Sequence, residues 1–479
     1  MTNKKTIGLV LSTIALLVLW LLPSTAFGIK DLSVVEQRVI AIFAFAAIMW
    51  ITEAIPIWAT SVLIIVIMLL SVSTSSIWFL TPTDTTTQAA GELIKYKDLM
   101  ATFADPIIML FLGGFVLAIA AKKCDLDANL ARVLLKPFGT KSHFVLLGFI
   151  VITALFSMFM SNTATAAMMV TILAPILKAT DDCNGSGKVG LALAIPIAAN
   201  IGGIGTPVGT PPNAIALKYL NDPEGLNMNI GFGEWMMVMV PFVIILLLIS
   251  WFLLLKMFPF NEKNIVIKIE GEMRKDKDAI IVYVVFAVTV LLWMLDKVTG
   301  VNANVVALIP VAVLTMTGII KKNDLKEIPW DVLWLVAGGF ALGVGMDKTG
   351  LAEHLVKAIP FETWPTMVTI IGSGVLCLLM STFISNTATA ALLVPILAAV
   401  GAGIGASLDA FGGITSLLVG IALCASLAMA LPISTPPNAL AHSTGLVKQS
   451  DMAKVGVIIG VIGLIMTYSM LLLIGKYIF

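Results

Sequence analysis

Two copies of the heptapeptide Ser-Asn-Thr-Ala-Thr-Ala-Ala, at 161–167 and 385–391, lie inside strongly apolar sequence. Each is followed by a Thr-Pro-Pro-Asn-Ala segment, the first starting at Thr210 and the second at Thr435. Hydroxyls and amides repeated in such a setting make poor lipid-facing helix and suit the lining of something polar. A turn built on Ser161, Asn162 and Thr163, or on Ser385, Asn386 and Thr387, offers side-chain donors together with the free N–H groups that begin the next helix. A helix N-terminus of this kind carries partial positive charge and holds anions. Two such tips meeting from opposite membrane faces suit an anion with two separated negative ends, a dicarboxylate, or less specifically sulfate or phosphate.

The Thr-Pro-Pro-Asn segments offer the opposite chemistry. Proline removes a backbone donor and breaks a helix, leaving carbonyls unpaired. Gly202, Gly203, Gly205 and Gly209 let the chain unwind ahead of the first copy. Exposed carbonyls beside Ser and Asn oxygens form a hard-cation site of the kind found in discontinuous-helix transporters. Small polar residues can also do no more than cement helix packing. Duplication of both motifs at matching spacing argues against that simpler reading.

The elements that carry these motifs are membrane helices. The chain has 479 residues, 59% hydrophobic and 12% charged, with a mean hydropathy of +1.03. A soluble domain carries about twice that charged fraction. Apolar runs of spanning length predict eleven crossings, near 6–23, 36–53, 57–72, 105–121, 189–216, 234–256, 279–296, 303–320, 331–347, 415–445 and 455–475. Two further apolar regions, 144–178 and 366–402, carry the heptapeptide near their middles and read as re-entrant helix–turn–helix hairpins. Non-helical backbone is tolerated at membrane depth only where it is buried in protein or lines a cavity. The first run also resembles a signal peptide, but charge bookkeeping favours a retained helix. With the N-terminus cytoplasmic and both hairpins re-entrant, most of the 29 Lys and Arg residues fall inside and the C-terminus falls outside.

The repeat extends beyond the heptapeptide. Gly113-Gly114-Phe115 recurs as Gly338-Gly339-Phe340, about 225 residues later, the same offset as the other two motifs. The chain is therefore two homologous halves. An odd number of crossings between the hairpins makes those halves inverted, the sequence sign of a secondary transporter with a midplane site. The charged segment Asn261 to Asp278 reads as a cytoplasmic interfacial linker, and Ser73–Gly91 as an extracellular loop without evident chemistry.

Other functions find little support. The four cysteines, Cys124, Cys183, Cys377 and Cys424, show no metal-ligand spacing and read as small core residues. His143, His354 and His442 form no metal pattern, and no Walker A, GxSxG or dinucleotide-binding sequence is present. No catalytic residue, metal site or cofactor is expected. A net charge of +1 without a basic cluster gives no reason to expect nucleic acid. A channel-like anion pore shares the hairpin architecture but has no need of paired cation-type breaks.

The paired Ser-Asn-Thr motifs, the paired Thr-Pro motifs and the count of eleven helices plus two hairpins resemble the divalent anion/sodium symporter (DASS, or INDY) family of di- and tricarboxylate carriers, over nearly the whole chain. The resemblance implies an all-α polytopic homodimer working as an elevator, with Na+ as a possible coupling ion. It implies scaffold helices at 1–135 and 279–362, transport-domain segments with the hairpins at 140–257 and 363–479, and a cytoplasmic linker at 258–278. Carried over by position, Ser161, Asn162, Thr163, Ser385, Asn386 and Thr387 contact substrate carboxylates, with Thr210, Pro211, Thr435 and Pro436 lining the site. One sodium site matches Ser157, Ser161, Asn162 and the backbone near Gly209; the other matches Ser381, Ile384, Asn386 and the backbone near Ser434.

Lys218 and His442 stand just beyond the two helix breaks, where many family symporters carry small or neutral residues. Lys218 reads either as a snorkelling helix-end residue or as a fixed charge, and His442 either as a neutral hydrogen-bonded core residue or as a fixed charge of the same kind. Fixed positive charge there would stand in for sodium and make the carrier an exchanger. The expectation therefore leans slightly to exchange of C4/C5 dicarboxylates (succinate, malate, fumarate, 2-oxoglutarate) across the plasma membrane, with sodium-coupled symport of dicarboxylate, citrate or sulfate as the alternative. Glu53 reads as structural, and Asp105 and Asp331 as helix N-terminal charges.

Overall fold

A computed structural model describes residues 3–85, 88–179, 186–223, 225–265, 274–358 and 365–478. Cys183 and the middle of the inter-half linker, 266–273, lie outside the described residues, as do Thr86 and Thr87 of the Ser73–Gly91 loop. The chain is built from helices α1 (Asn3–Leu21), α2 (Val34–Thr52), α3 (Ile57–Ser71), α4 (Tyr96–Ala101), α5 (Pro106–Lys123), α6 (Leu126–Leu135), α7 (Ser142–Ser157), α8 (Asn162–Ala179), α9 (Gly187–Gly203), α10 (Pro211–Leu220) and α11 (Phe232–Met257). The second half continues with α12 (Lys277–Met294), α13 (Asp296–Thr299), α14 (Ala303–Val306), α15 (Leu308–Met316), α16 (Trp330–Lys348), α17 (Leu351–Ala358), α18 (Thr366–Phe383), α19 (Asn386–Ile404), α20 (Gly413–Ser426), α21 (Pro436–Ser443) and α22 (Gln449–Ile478). Each run expected to cross the membrane coincides with one helix or with a consecutive set of helices. Among the described residues, eight helices are long and apolar enough to cross by length and composition.

The element order of the first half returns in the second. The series α5, α6, α7, α8, α9, α10, α11 is matched by α16, α17, α18, α19, α20, α21, α22. Composition sets the local boundaries. Ser33 and Glu36 form a reciprocal capping box that starts α2, with Glu36 N–H on Ser33 Oγ at 3.3 Å and Ser33 N–H on Glu36 Oε2 at 2.7 Å. Asp105 caps α5 through Ile107 N–H at 3.0 Å, with Pro106 at the first helical position, and Asp331 sits in the first turn of α16. Glu53 closes α2 in the left-handed region with φ of 47°.

α6 and α17 are short amphipathic helices at equivalent places, and neither was expected from hydropathy. They follow the basic ends of α5 and α16, where span-seeking reads only a charged loop. The first apolar run is α1, packed along α2, with Gln37 Nε2 donating to the Leu19 and Leu22 carbonyls at 2.9 and 2.7 Å.

The halves interlock reciprocally. Hairpin helix α8 of the first half contacts α21 of the second, and α19 of the second contacts α10 of the first. Close approach depends on glycine in the repeated Gly-Gly-Phe. A Cβ on Gly113 would lie 2.0 Å from the Ala307 carbonyl oxygen, and one on Gly338 would lie 2.4 Å from Ser61 Cβ. The following glycines, Gly114 and Gly339, face Val208 of the first break and Ala391 of α19. Small residues let membrane helices pack backbone to backbone. At the end of α5, Lys123 Nζ pairs with Asp324 at 2.6 Å, and this contact, then the Lys321 N–H, holds the Asp324 carboxyl below its ordinary range. The stabilisation from that pair is present above about pH 4 and fades only as pH falls through the lowered value.

Candidate functional site

Each heptapeptide sits at the turn of a hairpin. α7 ends at Ser157 and α8 begins at Asn162; α18 ends at Phe383 and α19 begins at Asn386. The serines that open the motifs act as N-caps. Ser161 Oγ accepts from Ala164 N–H and Ser385 Oγ from Ala388 N–H, both at 3.1 Å. The motif therefore encodes the tip itself, because Ser at the cap starts the second helix where the first has stopped.

Behind each tip lies the same polar cluster. Ser157 Oγ donates 2.7 Å to the Ala199 carbonyl and lies 2.6 Å from the Asn162 amide. Ser381 Oγ likewise lies 2.9 Å from the Ala425 carbonyl and 2.8 Å from Asn386 Oδ1. In the first cluster the inward end of the Asn162 amide is also 3.2 Å from both the Ala199 and Gly209 carbonyl oxygens. With nitrogen inward, the amide donates to these oxygens. With oxygen inward, Asn162 Oδ1, Ser157 Oγ and two carbonyls converge with a single Ser157 hydroxyl proton among the four oxygens, which leaves room for a cation. Oxygen-only donor sets of this kind suit a hard cation. The glycines make the space: a Cβ on Gly203 would come 2.7 Å from the Asn162 amide, and one on Gly209 would come 2.5 Å from the Gly203 carbonyl oxygen.

The helix breaks lie beside these clusters. Ile204–Thr210 separates α9 from α10, and Leu427–Thr435 separates α20 from α21. Thr210 and Thr435 are buried N-caps, each with proline at the first helical position. Unwinding frees carbonyls, and the asparagine of each Thr-Pro-Pro-Asn collects them. Asn213 Nδ2 donates to Gly203 O at 3.0 Å and to Thr206 O at 2.8 Å; Asn438 Nδ2 donates to Met429 O at 2.7 Å and to Leu431 O at 2.9 Å. Thr206 Oγ1 ties the first break to the Met158 carbonyl, and Ser434 Oγ ties the second to the Thr382 carbonyl at 2.7 Å. Each break is thus fastened to the arm of its own hairpin. Ile384 is buried at the second tip, Thr163 is exposed and Thr387 half-buried at the turns, and of the prolines Pro211 is half-buried and Pro436 exposed.

Three polar positions escaped the sequence reading. Thr165 and Thr389, the second threonines of the heptapeptides, are fully buried with hydroxyls that have no partner. Their equivalence in the repeat was the available signal. Asn200 in α9 donates to Thr435 Oγ1 at 3.2 Å and lies 3.4 Å from Asn438 Oδ1, joining the first half to the second break. Nothing in its local sequence marked it.

Lys218 and His442 make their contacts away from the two oxygen clusters. Lys218 Nζ is ion-paired with Asp105, the N-cap of α5, and stands 3.8 Å above the Phe340 ring centroid. Its charge is already matched, and its recorded partners belong to α5 and α16 rather than to the Ser157–Asn162 cluster. His442 is exposed, with Nδ1 2.8 Å from the Val447 carbonyl at the end of α21. Lys218→Met therefore leaves cation dependence unchanged but lowers the thermal stability of the purified protein, by about 1–3 kcal/mol. That range lies between the surface and fully buried limits for a broken pair.

Twin hairpins, twin breaks and oxygen clusters inside a helical membrane protein define a multi-pass transporter rather than an enzyme. The chain belongs to the sodium:sulfate symporter family, whose transmembrane-region profile matches residues 3–479. It is 32% identical to the sodium-dependent dicarboxylate transporter SdcS of Staphylococcus aureus strain USA300, over 98% of this chain and 92% of that protein. SdcS of strain MRSA252 matches at the same identity and coverage. Among solved structures, Neisseria gonorrhoeae MtrF, described as illuminating a class of antimetabolite efflux pumps, superposes with a TM-score of 0.56 at 12% identity, covering 86% of this chain and 94% of its own. The Alcanivorax borkumensis YdaH transporter gives 0.53 at 12% identity, over 79% and 87%. These two likenesses concern the fold.

Proposed function

We propose that this chain is a sodium-coupled secondary carrier of C4/C5 dicarboxylates such as succinate, malate, fumarate and 2-oxoglutarate. One observation carries the reading: a Ser–Asn–carbonyl cluster repeated behind both hairpin tips, Ser157/Asn162/Ala199 and Ser381/Asn386/Ala425. The name borne by its relatives supports both the substrate class and sodium.

In this reading the first sodium ion takes oxygens from Ser157, Asn162 and the backbone at Ala199 and Gly209. Ser161 contributes by fixing the tip. The second takes oxygens from Ser381, Asn386 and the backbone at Ile384, Ala425 and Ser434. Each ion places a positive charge beside the start of a hairpin helix, whose partial charge has the same sign. The paired tips, with Asn162, Thr163, Asn386 and Thr387 outward and the Thr210-Pro211 and Thr435-Pro436 corners alongside, then grip one carboxylate each. Without sodium the asparagine amides turn toward their carbonyls, and the grip loses charge. The alternative, exchange without sodium, assigns fixed positive charge near the breaks to Lys218 and His442; the pairing of Lys218 with Asp105 supports the sodium reading.

The reading includes an elevator in a homodimer in the plasma membrane, with the N-terminus cytoplasmic and the C-terminus outside. Residues 1–135 and 279–362 form the scaffold, while 140–257 and 363–479 move with the substrate. Proteoliposomes with no internal dicarboxylate accumulate labelled succinate when an inward sodium gradient is imposed, and not with potassium in its place. Uptake that needs internal dicarboxylate and ignores sodium would refute the coupling and restore exchange.

A further inference from the structure

The chain that joins the two halves folds back onto the foot of the first hairpin. Ile265 N–H donates to Thr140 O at 2.7 Å, Ser142 N–H to Lys263 O at 3.0 Å and Ser142 Oγ to Glu262 O at 2.5 Å. On the other side Ser186 Oγ donates to Pro259 O at 3.0 Å, and the Phe260 ring lies against Gly187. These contacts border an open cavity of about 530 Å³ between the end of α11 and the start of α7. Its lining combines the basic or polar Lys141, His143 and Lys263 with the apolar Leu255, Pro259 and Phe260. Glu262 is the one carboxylate among the lining residues.

Among the described residues, neither Lys141 nor Lys263 lies within ion-pairing distance of a carboxylate. Two ammonium groups, each with three N–H donors, thus belong to the lining residues without a carboxylate partner among the described residues. The level is interfacial. α11 is an apolar helix of 26 residues that ends here, and Trp251, near that end, donates from Nε1 to the His143 carbonyl at 2.8 Å. Tryptophan and lysine flanking an apolar helix end mark the headgroup region. A small hydrated anion has no use for the apolar wall, whereas a phosphodiester carrying glycerol and acyl chains uses both sides.

We propose that this cavity binds the phosphate headgroup of an anionic phospholipid, clamping the inter-half linker to the foot of the first hairpin. The shared chemistry is phosphate, and Lys141 and Lys263 supply the recognition, each contributing at the scale of a juxtamembrane basic residue.

Native mass spectrometry and thermal unfolding of the full-length protein in neutral detergent test this, without substrate or a sodium gradient, so the outcome is independent of the transport reading. Phosphatidylglycerol binds the wild type and raises its unfolding temperature, while phosphatidylcholine does neither. The double variant Lys141→Gln/Lys263→Gln binds phosphatidylglycerol roughly 30-fold more weakly. The single variants, each expected to weaken binding by about fivefold, serve if the double variant fails to fold. Unchanged phosphatidylglycerol affinity in the variants, or equal stabilisation by phosphatidylcholine, overturns the site. Inorganic phosphate alone reproducing the full shift overturns the lipid as occupant.

Discussion

Asn162→Ala and Asn386→Ala each reduce sodium-driven succinate uptake by about 10–100-fold, while size-exclusion profiles stay those of the wild type. The estimate follows from the cluster geometry. The Asn162 amide faces Ser157 Oγ at 2.6 Å and two carbonyl oxygens at 3.2 Å, and Asn386 holds the equivalent position at 2.8 Å from Ser381 Oγ. A hydrogen bond or ligand contact to a charged partner is worth about 1.5–3 kcal/mol, and each 1.4 kcal/mol is tenfold. Asn162→Asp separates the two roles of the amide. It retains oxygens for a cation but cannot donate to the Ala199 and Gly209 carbonyls. Residual sodium-dependent uptake above that of Asn162→Ala would therefore identify oxygen as the inward atom in the working state. Wild-type uptake by either alanine variant would remove the clusters from the mechanism.

Gly202→Val destabilises the protein by about 3 kcal/mol or more, the upper end of the cost of overpacking, and is read as loss of monodisperse material on solubilisation. A Cβ at this position would lie 2.5 Å from the Ala154 carbonyl oxygen and 2.6 Å from Ala154 Cα. Both are backbone atoms of α7, so relief requires separating α7 from α9. Gly203→Ala, one residue later, behaves differently. Its Cβ meets the Asn162 amide at 2.7 Å, and that side chain can turn away. The variant folds, and its half-saturating sodium concentration rises. A Gly202→Val protein as stable as the wild type would show that α7 and α9 are not held at this contact.

Much of this architecture was legible because membrane helices announce themselves by unbroken hydropathy and because the chain states its plan twice. The hairpins at 144–178 and 366–402 and helix breaks at the two Thr-Pro-Pro-Asn segments were read from the repeat, and the structure starts those breaks after Gly203 and Ser426. Ser157 and Ser381 came with the family resemblance, and the structure puts both against an asparagine and a carbonyl. Hydropathy could not reveal α6 and α17, which are too short and too charged to read as spans. Partnership across distant segments was equally hidden. Lys218 looked like an isolated charge because its partner, Asp105, stands more than 100 residues earlier in the chain, at the head of α5. Asn200 reads as one polar residue in an apolar helix until the second half is folded against it.

That Asn200 contact makes the two halves chemically unequal. Thr435 and Asn438 receive a donor from outside their own break, whereas Ser426, which follows Ala425 as Asn200 follows Ala199, spends its hydroxyl on the Ala422 carbonyl of its own helix. The first break takes its outside donor on the backbone instead, Trp235 Nε1 on the Ile204 carbonyl at 3.0 Å, and among the described residues Asn213 Oδ1 is buried without a hydrogen-bond partner. An unsatisfied buried oxygen of this kind costs about 1–3 kcal/mol until something positive or protic reaches it. The symmetry of the duplication is therefore broken at one atom: the second asparagine's oxygen is met in advance by the other half, and the first's stays open to an arriving guest.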